Sequence, residues 1–133
     1  MGGLLLEDDQ ILLVRRKNPP SQGLWTLPGG RVLPGERLVE ALRREFEEET
    51  SLEVEPLALA GLFEIIEKDP LGQLRYHFVV ADYWVRRIGG SPRPGSDALD
   101  VRWFPVSHLP QDEMPPESAA FVRDLLRSRS RQS

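Results

Sequence analysis

The 133-residue chain contains no cysteine, which excludes a disulfide framework, a thiol nucleophile and a thiolate zinc site. Only two histidines are present, His77 and His108, too few for a three-histidine metal centre. The longest purely aliphatic stretch is Ile11 to Val14, far below the roughly 18 residues needed to span a bilayer. The opening Met1-Gly2-Gly3-Leu4-Leu5-Leu6-Glu7-Asp8 lacks a basic region and turns acidic at once, unlike a signal peptide. A reduced cytoplasm is therefore the expected home. No Gly-x4-Gly-Lys-Ser/Thr sequence occurs, so a P-loop nucleotide site is unsupported. Nucleic-acid binding is not expected either, because the Arg123, Arg127, Arg129 and Arg131 cluster is a short tail.

What the chain does have is charge in one place. Its formal net charge is only −4, from 17 basic and 21 acidic residues. Between Glu36 and Glu55, eight acids against three bases give −5, leaving +1 for all the rest. At 40% hydrophobic and 29% charged residues, the composition is that of an ordinary globular domain. The length and the lack of any internal repeat or linker predict a single domain over 1–133.

The local patterns outline the elements. Leu4–Leu6 and Ile11–Arg16 flank Glu7-Asp8-Asp9-Gln10 and read as a β-hairpin, followed by a Pro/Gly-rich loop from Lys17 to Gly30. The spacing predicts a helix over about 37–50, after the Pro34-Gly35 turn. Extended segments are expected at Leu52–Glu67 and Leu74–Val85, separated by the Asp69-Pro70-Leu71-Gly72 turn. A long loop over Ile88–Leu99, a short strand at Val101–Phe104 and a second helix after Pro115-Pro116 complete the chain. Residues from about 128 to 133 read as a frayed end. Strands surrounding two helices imply a mixed sheet between helical layers.

The first helix is built in an unusual way. At about 100° per residue, Leu38, Val39, Ala41, Leu42 and Phe46 share an apolar side, opposite Glu40, Arg43 and Glu47. Glu45 and Glu49, four residues apart, land inside or beside the apolar stripe with Glu48 next to them. A merely solvated acidic face would not crowd three carboxylates against a core. A hard divalent cation offsets both their repulsion and their desolvation, since Mg²⁺ and Mn²⁺ take carboxylate oxygens. Arg44, at four-residue spacing from Glu40 and Glu48, is placed to brace the cluster.

Gly30, Glu36, Arg44, Glu45, Phe46, Glu48, Glu49 and Leu52 together resemble the Nudix box, Gly-x5-Glu-x7-Arg-Glu-U-x-Glu-Glu-x-Gly-U, with U a bulky aliphatic. Six identities at fixed spacing would arise by chance roughly once in 10⁷ windows at average amino-acid usage. Leu12-Leu13-Val14-Arg15-Arg16, Leu27-Pro28-Gly29-Gly30 and Arg102-Trp103-Phe104 extend the resemblance over nearly the whole chain. Two positions depart: Ser51 stands where the box has its second Gly, and Phe46 where an aliphatic is usual.

The resemblance implies an α/β (α+β) fold, an α/β/α sandwich with a mixed β-sheet and a loop-helix-loop box. It implies hydrolysis of the diphosphate linkage in a nucleoside diphosphate joined to another moiety, with Mg²⁺ as cofactor and Mn²⁺ as its substitute. Carried over by motif, Glu45, Glu48, Glu49 and the Gly29 carbonyl would hold metal, and Glu36 would support Arg44. The general base is left between Glu45 and Asp97, which lies six residues before Trp103 in the long loop. Arg16 resembles a substrate-contacting Arg of MutT-like members, and Gly30 is placed beside the substrate. Trp25, Phe63, Tyr76, His77 and Trp84 are candidate base-stacking residues, though each such residue is more often plain core.

Pro70 lies near the place where many ADP-ribose-cleaving members carry a Pro, displaced by about two residues, and the reading leans toward ADP-ribose or a related nucleotide sugar. A MutT-type nucleoside triphosphate pyrophosphohydrolase and a non-catalytic nucleotide-binding regulator are the alternatives. The regulator reading is disfavoured by the presence of all three box carboxylates. The expected partners are a nucleotide-type small molecule and a second copy of the chain in a homodimer, with no membrane.

Overall fold

In the computed structural model, residues 1–132 are described, with side chains described through 129. Strand β1 (Gly2–Glu7) turns into β2 (Gln10–Arg16) through Asp8 and Asp9, both at positive φ. That is the backbone a two-residue hairpin of the favoured twist requires, and Asp tolerates it better than most side chains. A two-residue strand β3 (Trp25–Thr26), helix α1 (Leu38–Thr50) and the long strands β4 (Glu53–Lys68) and β5 (Leu74–Gly89) follow. Strand β6 (Ala98–Pro105), a single 3₁₀ turn (Gln111–Glu113) and helix α2 (Pro116–Gln132) end the chain.

The sheet runs β3-β2-β1-β5-β4, with β6 antiparallel along β2. It is mixed because β1 pairs parallel with β5, Gly2 through Leu5 against Asp82 through Val85. Side-chain alternation along the strands separates two cores. Leu4, Ile11 and Leu13 pack toward Met114, Ala119 and Val122 at the α2 side. Leu5, Leu12 and Val85 pack toward Leu42 and Phe46 of α1. A three-layer α/β/α sandwich is the result.

Several elements differ in extent from the sequence reading. β5 runs on to Gly89 because Arg87 and Gly89 still pair with Val54 and Glu53 of β4, so the expected loop over Ile88–Leu99 shrinks to residues 90–97. β6 likewise starts earlier, at Ala98, and pairs with Arg16. Residues 128–132, expected as a frayed end, continue α2, and residue 133 lies outside the described residues. Leu38, assigned to the apolar side of α1, is 43% exposed, because the first turn projects past the sheet toward a cleft. Ala41, Leu42 and Phe46 are fully buried as the wheel requires.

Candidate active site

The loop before α1 and the last two turns of the helix are stitched together by carboxylates. Glu36 accepts a hydrogen bond from the Leu33 N–H (3.0 Å) and takes Arg44 in a two-point grip, Nε to Oε2 at 2.7 Å and Nη2 to Oε1 at 3.0 Å. Arg44 Nη2 also donates to the Arg31 carbonyl (3.0 Å), tying the loop to the helix. Its Nη1 donates to Glu45 Oε1 (3.0 Å) and Glu48 Oε2 (3.2 Å), drawing those carboxylates together. Planar guanidinium–carboxylate pairing of this kind fixes direction as well as distance. It holds the Glu36 carboxyl below its ordinary range, first through Arg44 and then through the Leu33 N–H. Glu40, the partner helical spacing suggested for Arg44, instead accepts from the Arg37 N–H (3.3 Å) at the start of α1.

Glu49 lies on the inner side of the same helix, 6% exposed, and accepts the Gly29 N–H at 2.8 Å. Burial first, with Glu45 and Asp97 adding to it and the Gly29 N–H and Arg16 opposing, pushes its carboxyl up to about 8. Glu45 is also raised, by burial first, with Glu48 and Asp97 adding to it and Arg44 opposing. Gly30 packs so closely on Glu45 that a Cβ there would stand 2.6 Å from the carboxyl carbon, so a side chain at this position would displace the carboxylate. Asp97 reaches the cluster because loop 90–97 folds over the end of α1: Arg93 N–H donates to the Thr50 carbonyl and Gly95 N–H to the Glu49 carbonyl, both at 2.9 Å.

The donor set is hard and anionic, which suits Mg²⁺ or Mn²⁺. Carboxyls held above their ordinary range by burial and by one another mark a site that a cation would relieve. Among the described residues, no three acidic, histidine or cysteine side chains converge on one point. In this arrangement Glu45 and Glu48 are turned to Arg44, and Glu49 to the Gly29 N–H. Glu45, Glu48, Glu49 and the Gly29 backbone fit a divalent ion by chemistry, with their side chains reoriented from this arrangement.

Beside the carboxylates runs a cleft of about 460 Å³, reached from Arg16, Gly29, Gly30 and Arg31 and extending over β5 to the start of α2. Arg16 donates to the Pro20 carbonyl (2.7 Å) and faces the cleft, whereas Arg15 turns away to the Gly23 carbonyl. Of the candidate stacking residues, Phe63 and Tyr76 line the cleft. Trp25 is core, edge-on to Phe104, and Trp84 packs against the same core. His77 pairs with Glu64 on the exposed face of the β4–β5 hairpin, away from the cleft. Two cleft residues were missed by the sequence reading: Phe78, which carries the Arg31 guanidinium 5.3 Å from its ring centroid, and Asp82, buried at 3% exposure. A single acid within Val79-Val80-Ala81-Asp82-Tyr83-Trp84-Val85 was the available signal for Asp82.

The NUDIX domain family model matches residues 1–125. The chain belongs to the Nudix family. Among relatives, it is 37% identical over 109 residues to an ADP-ribose pyrophosphatase of Methanocaldococcus jannaschii, covering 82% of this chain and 62% of that protein. It is 36% identical over 110 residues to the 8-oxo-dGDP phosphatase of Homo sapiens, covering 80% of this chain and 31% of that one. This Nudix chain thus spans less than two-thirds of either relative's length. The crystal structure of a MutT Nudix hydrolase from Burkholderia pseudomallei superposes with a TM-score of 0.75 at 30% identity, covering 91% of this chain and 92% of that one. No helix among the described residues is long and apolar enough to cross a membrane.

Proposed function

We propose that this Nudix domain hydrolyses the diphosphate linkage of a nucleoside diphosphate joined to another moiety, in the cytoplasm and with Mg²⁺ or Mn²⁺. The observation that carries this reading is the joint presence of Glu45, Glu48 and Glu49 on one end of α1, with Arg44 and Glu36 holding the first two in place. A regulator that binds without cleaving has no use for three carboxylates kept together at the expense of their own repulsion.

When bound, the divalent ion neutralises charge on the phosphate oxygens and makes phosphorus open to attack by water. The chain supplies the rest. Glu45, Glu48, Glu49 and the Gly29 carbonyl would hold the ion, while Arg44 limits how far Glu45 and Glu48 can swing. Arg16, at the mouth of the cleft and within the field of Glu49, places its positive charge beside the substrate's phosphates. Gly30 lets the substrate approach the backbone next to Glu45. The attacking water would give its proton to Glu45 or to Asp97, whose charge is felt at Glu45.

The names of the relatives point to two substrates, ADP-ribose and 8-oxo-dGDP, that share a nucleoside diphosphate core. A panel of ADP-ribose, other nucleoside diphosphate sugars and nucleoside di- and triphosphates, with Mg²⁺ or Mn²⁺, tests the reading. Turnover of a diphosphate derivative that is abolished in Glu48→Gln supports it. Binding without turnover across the panel would replace it with the regulator reading. Glu45→Gln and Asp97→Asn, compared on the best substrate, separate the two proton acceptors.

A further inference from the structure

Asp82 is a carboxylate in the wrong surroundings for a structural residue. It sits mid-strand in β5, 3% exposed, between the apolar Val80 and Trp84 of the same sheet face. Its opposite neighbour on β4 is Gly61, against which Phe121 of α2 packs. A carboxylate has about four lone-pair positions. The Met1 α-ammonium lies near enough to favour its charge and the Gly2 N–H serves it, but no side-chain donor reaches it among the described residues. Buried polar groups left this short of partners are costly, and they persist where a ligand completes them.

The surroundings show which way that ligand would come. Asp82 lines the cleft, and Gly2, opposite it on β1, leaves the carboxylate uncovered: a Cβ there would stand 2.8 Å from Asp82 Oδ1 and 3.2 Å from Leu27 Cβ. Leu27, Phe78, Val80 and Met114 make the neighbouring lining apolar. The cleft's size suits a small ligand. A largely apolar slot with a buried two-oxygen acceptor at its floor, and the exposed Glu117 at its rim, fits a flat heterocycle that presents two adjacent N–H donors.

We propose that Asp82 is a specificity-determining residue that reads the base of the substrate, selecting guanine-type bases over adenine. Guanine offers N1–H and an exocyclic N–H side by side, one for each oxygen of a carboxylate. Adenine offers one donor next to the N1 lone pair, which a carboxylate repels. The inference rests on the proposed function for the orientation of the nucleotide, with its phosphates toward Arg16 and the box.

The test pairs two measurements on wild type, Asp82→Asn and Gly2→Ala. The first is kcat/KM for matched guanosine and adenosine diphosphate sugars. The second is the affinity of the nucleotides GMP and AMP, read by calorimetry. Wild type is expected to favour guanine by about tenfold or more, since a buried acceptor left unpaired discriminates strongly. Asp82→Asn, which replaces one acceptor by a donor of the same shape, should erase that preference, mainly through KM. Gly2→Ala should erode it by covering the carboxylate. Asp112→Asn, which removes an exposed carboxylate outside the cleft lining, should leave the preference in place. Turnover without a guanine preference, or a preference unchanged in Asp82→Asn, would overturn the inference and leave the hydrolase reading intact. A guanine preference in binding that Asp82→Asn removes, without turnover of either substrate, would support it and defeat the hydrolase reading instead.

Discussion

Arg44 and Glu36 face each other as a two-point pair across the start of the box, at 2.7 and 3.0 Å, and the same guanidinium reaches Glu45 and Glu48. One side chain therefore decides where two carboxylates of the proposed metal site point. Replacing Arg44 by Lys keeps the charge and loses the fork, so it should misplace both carboxylates. The expected outcome is a fall in kcat of about a hundredfold with a smaller change in KM, as for an interaction that matters chiefly in the transition state. Glu36→Gln should show the same direction with a milder loss, since it keeps the Leu33 contact. Steady-state kinetics at saturating Mg²⁺, with a thermal melt to confirm folding, checks both. An Arg44→Lys enzyme with wild-type kcat would show that the carboxylates hold their places alone.

Glu49 carries the cost of a buried carboxyl that its neighbours make worse. In metal-free buffer near pH 7, Glu49→Gln removes that ionisable group while keeping an acceptor for the Gly29 N–H, so it should melt no lower than wild type. Millimolar Mg²⁺ should then raise the melting temperature of wild type, because a ligand that binds only the folded state stabilises it by mass action. The variant should gain clearly less. Equal Mg²⁺-dependent gains in both proteins would remove Glu49 from the metal site.

Asp82 gives stability a pH dependence of definite sign. Burial lifts its carboxyl from 3.8 to about 6, against the opposing help of the Met1 α-ammonium and then of the Gly2 N–H. Between those values the folded state holds a proton that the unfolded chain has released. Stability is therefore fullest below about 3.8 as far as this group is concerned, and declines as pH rises through about 6. The full loss is on the order of 3 kcal/mol. Asp82→Asn should flatten that part of the curve. Denaturant melts of both proteins from pH 4 to 7, and their difference at each pH, isolate the contribution. A difference that does not vary with pH would contradict the buried, protonated state.

What could be read in the sequence was set by how local the cause is. The hairpin follows from Asp8-Asp9 between apolar runs, and α1 from a helical period confirmed by buried Ala41, Leu42 and Phe46. The inward placement of Glu49 was also legible, because the helical period puts Glu45 and Glu49, four residues apart, inside or beside the stripe that holds Phe46. Helical spacing alone, however, offered Glu40 as a partner for Arg44. Glu36 holds that place because the loop before α1 folds back along the helix, while Glu40 is engaged by the Arg37 N–H. The cleft was least legible. It is assembled from Gly2, the Gly29–Arg31 loop, β5 and the start of α2, which meet only through the parallel β1–β5 pairing. Leu38, Phe78 and Asp82 take their roles from that assembly, and no short-range pattern contains it.

Ser51 tests the box departure directly. It ends α1 in the left-handed region, φ 63° and ψ 16°, with its N–H on the Glu47 carbonyl at 3.1 Å. A residue with a Cβ is disfavoured there by about 1 kcal/mol, which Gly does not incur. The hydroxyl returns part of that through a hydrogen bond to the Arg93 carbonyl, but at 3.3 Å and partly in solvent it is a weak one. Ser51→Gly should therefore leave turnover intact and raise stability by about 0.5 kcal/mol, measured by denaturant titration. The backbone bond from Arg93 to the Thr50 carbonyl remains in the variant, so the loop carrying Asp97 keeps its anchor. A clear drop in melting temperature would mean that the Ser51 hydroxyl, rather than the backbone, fastens loop 90–97 to the helix. In that case activity should fall with it, through Asp97.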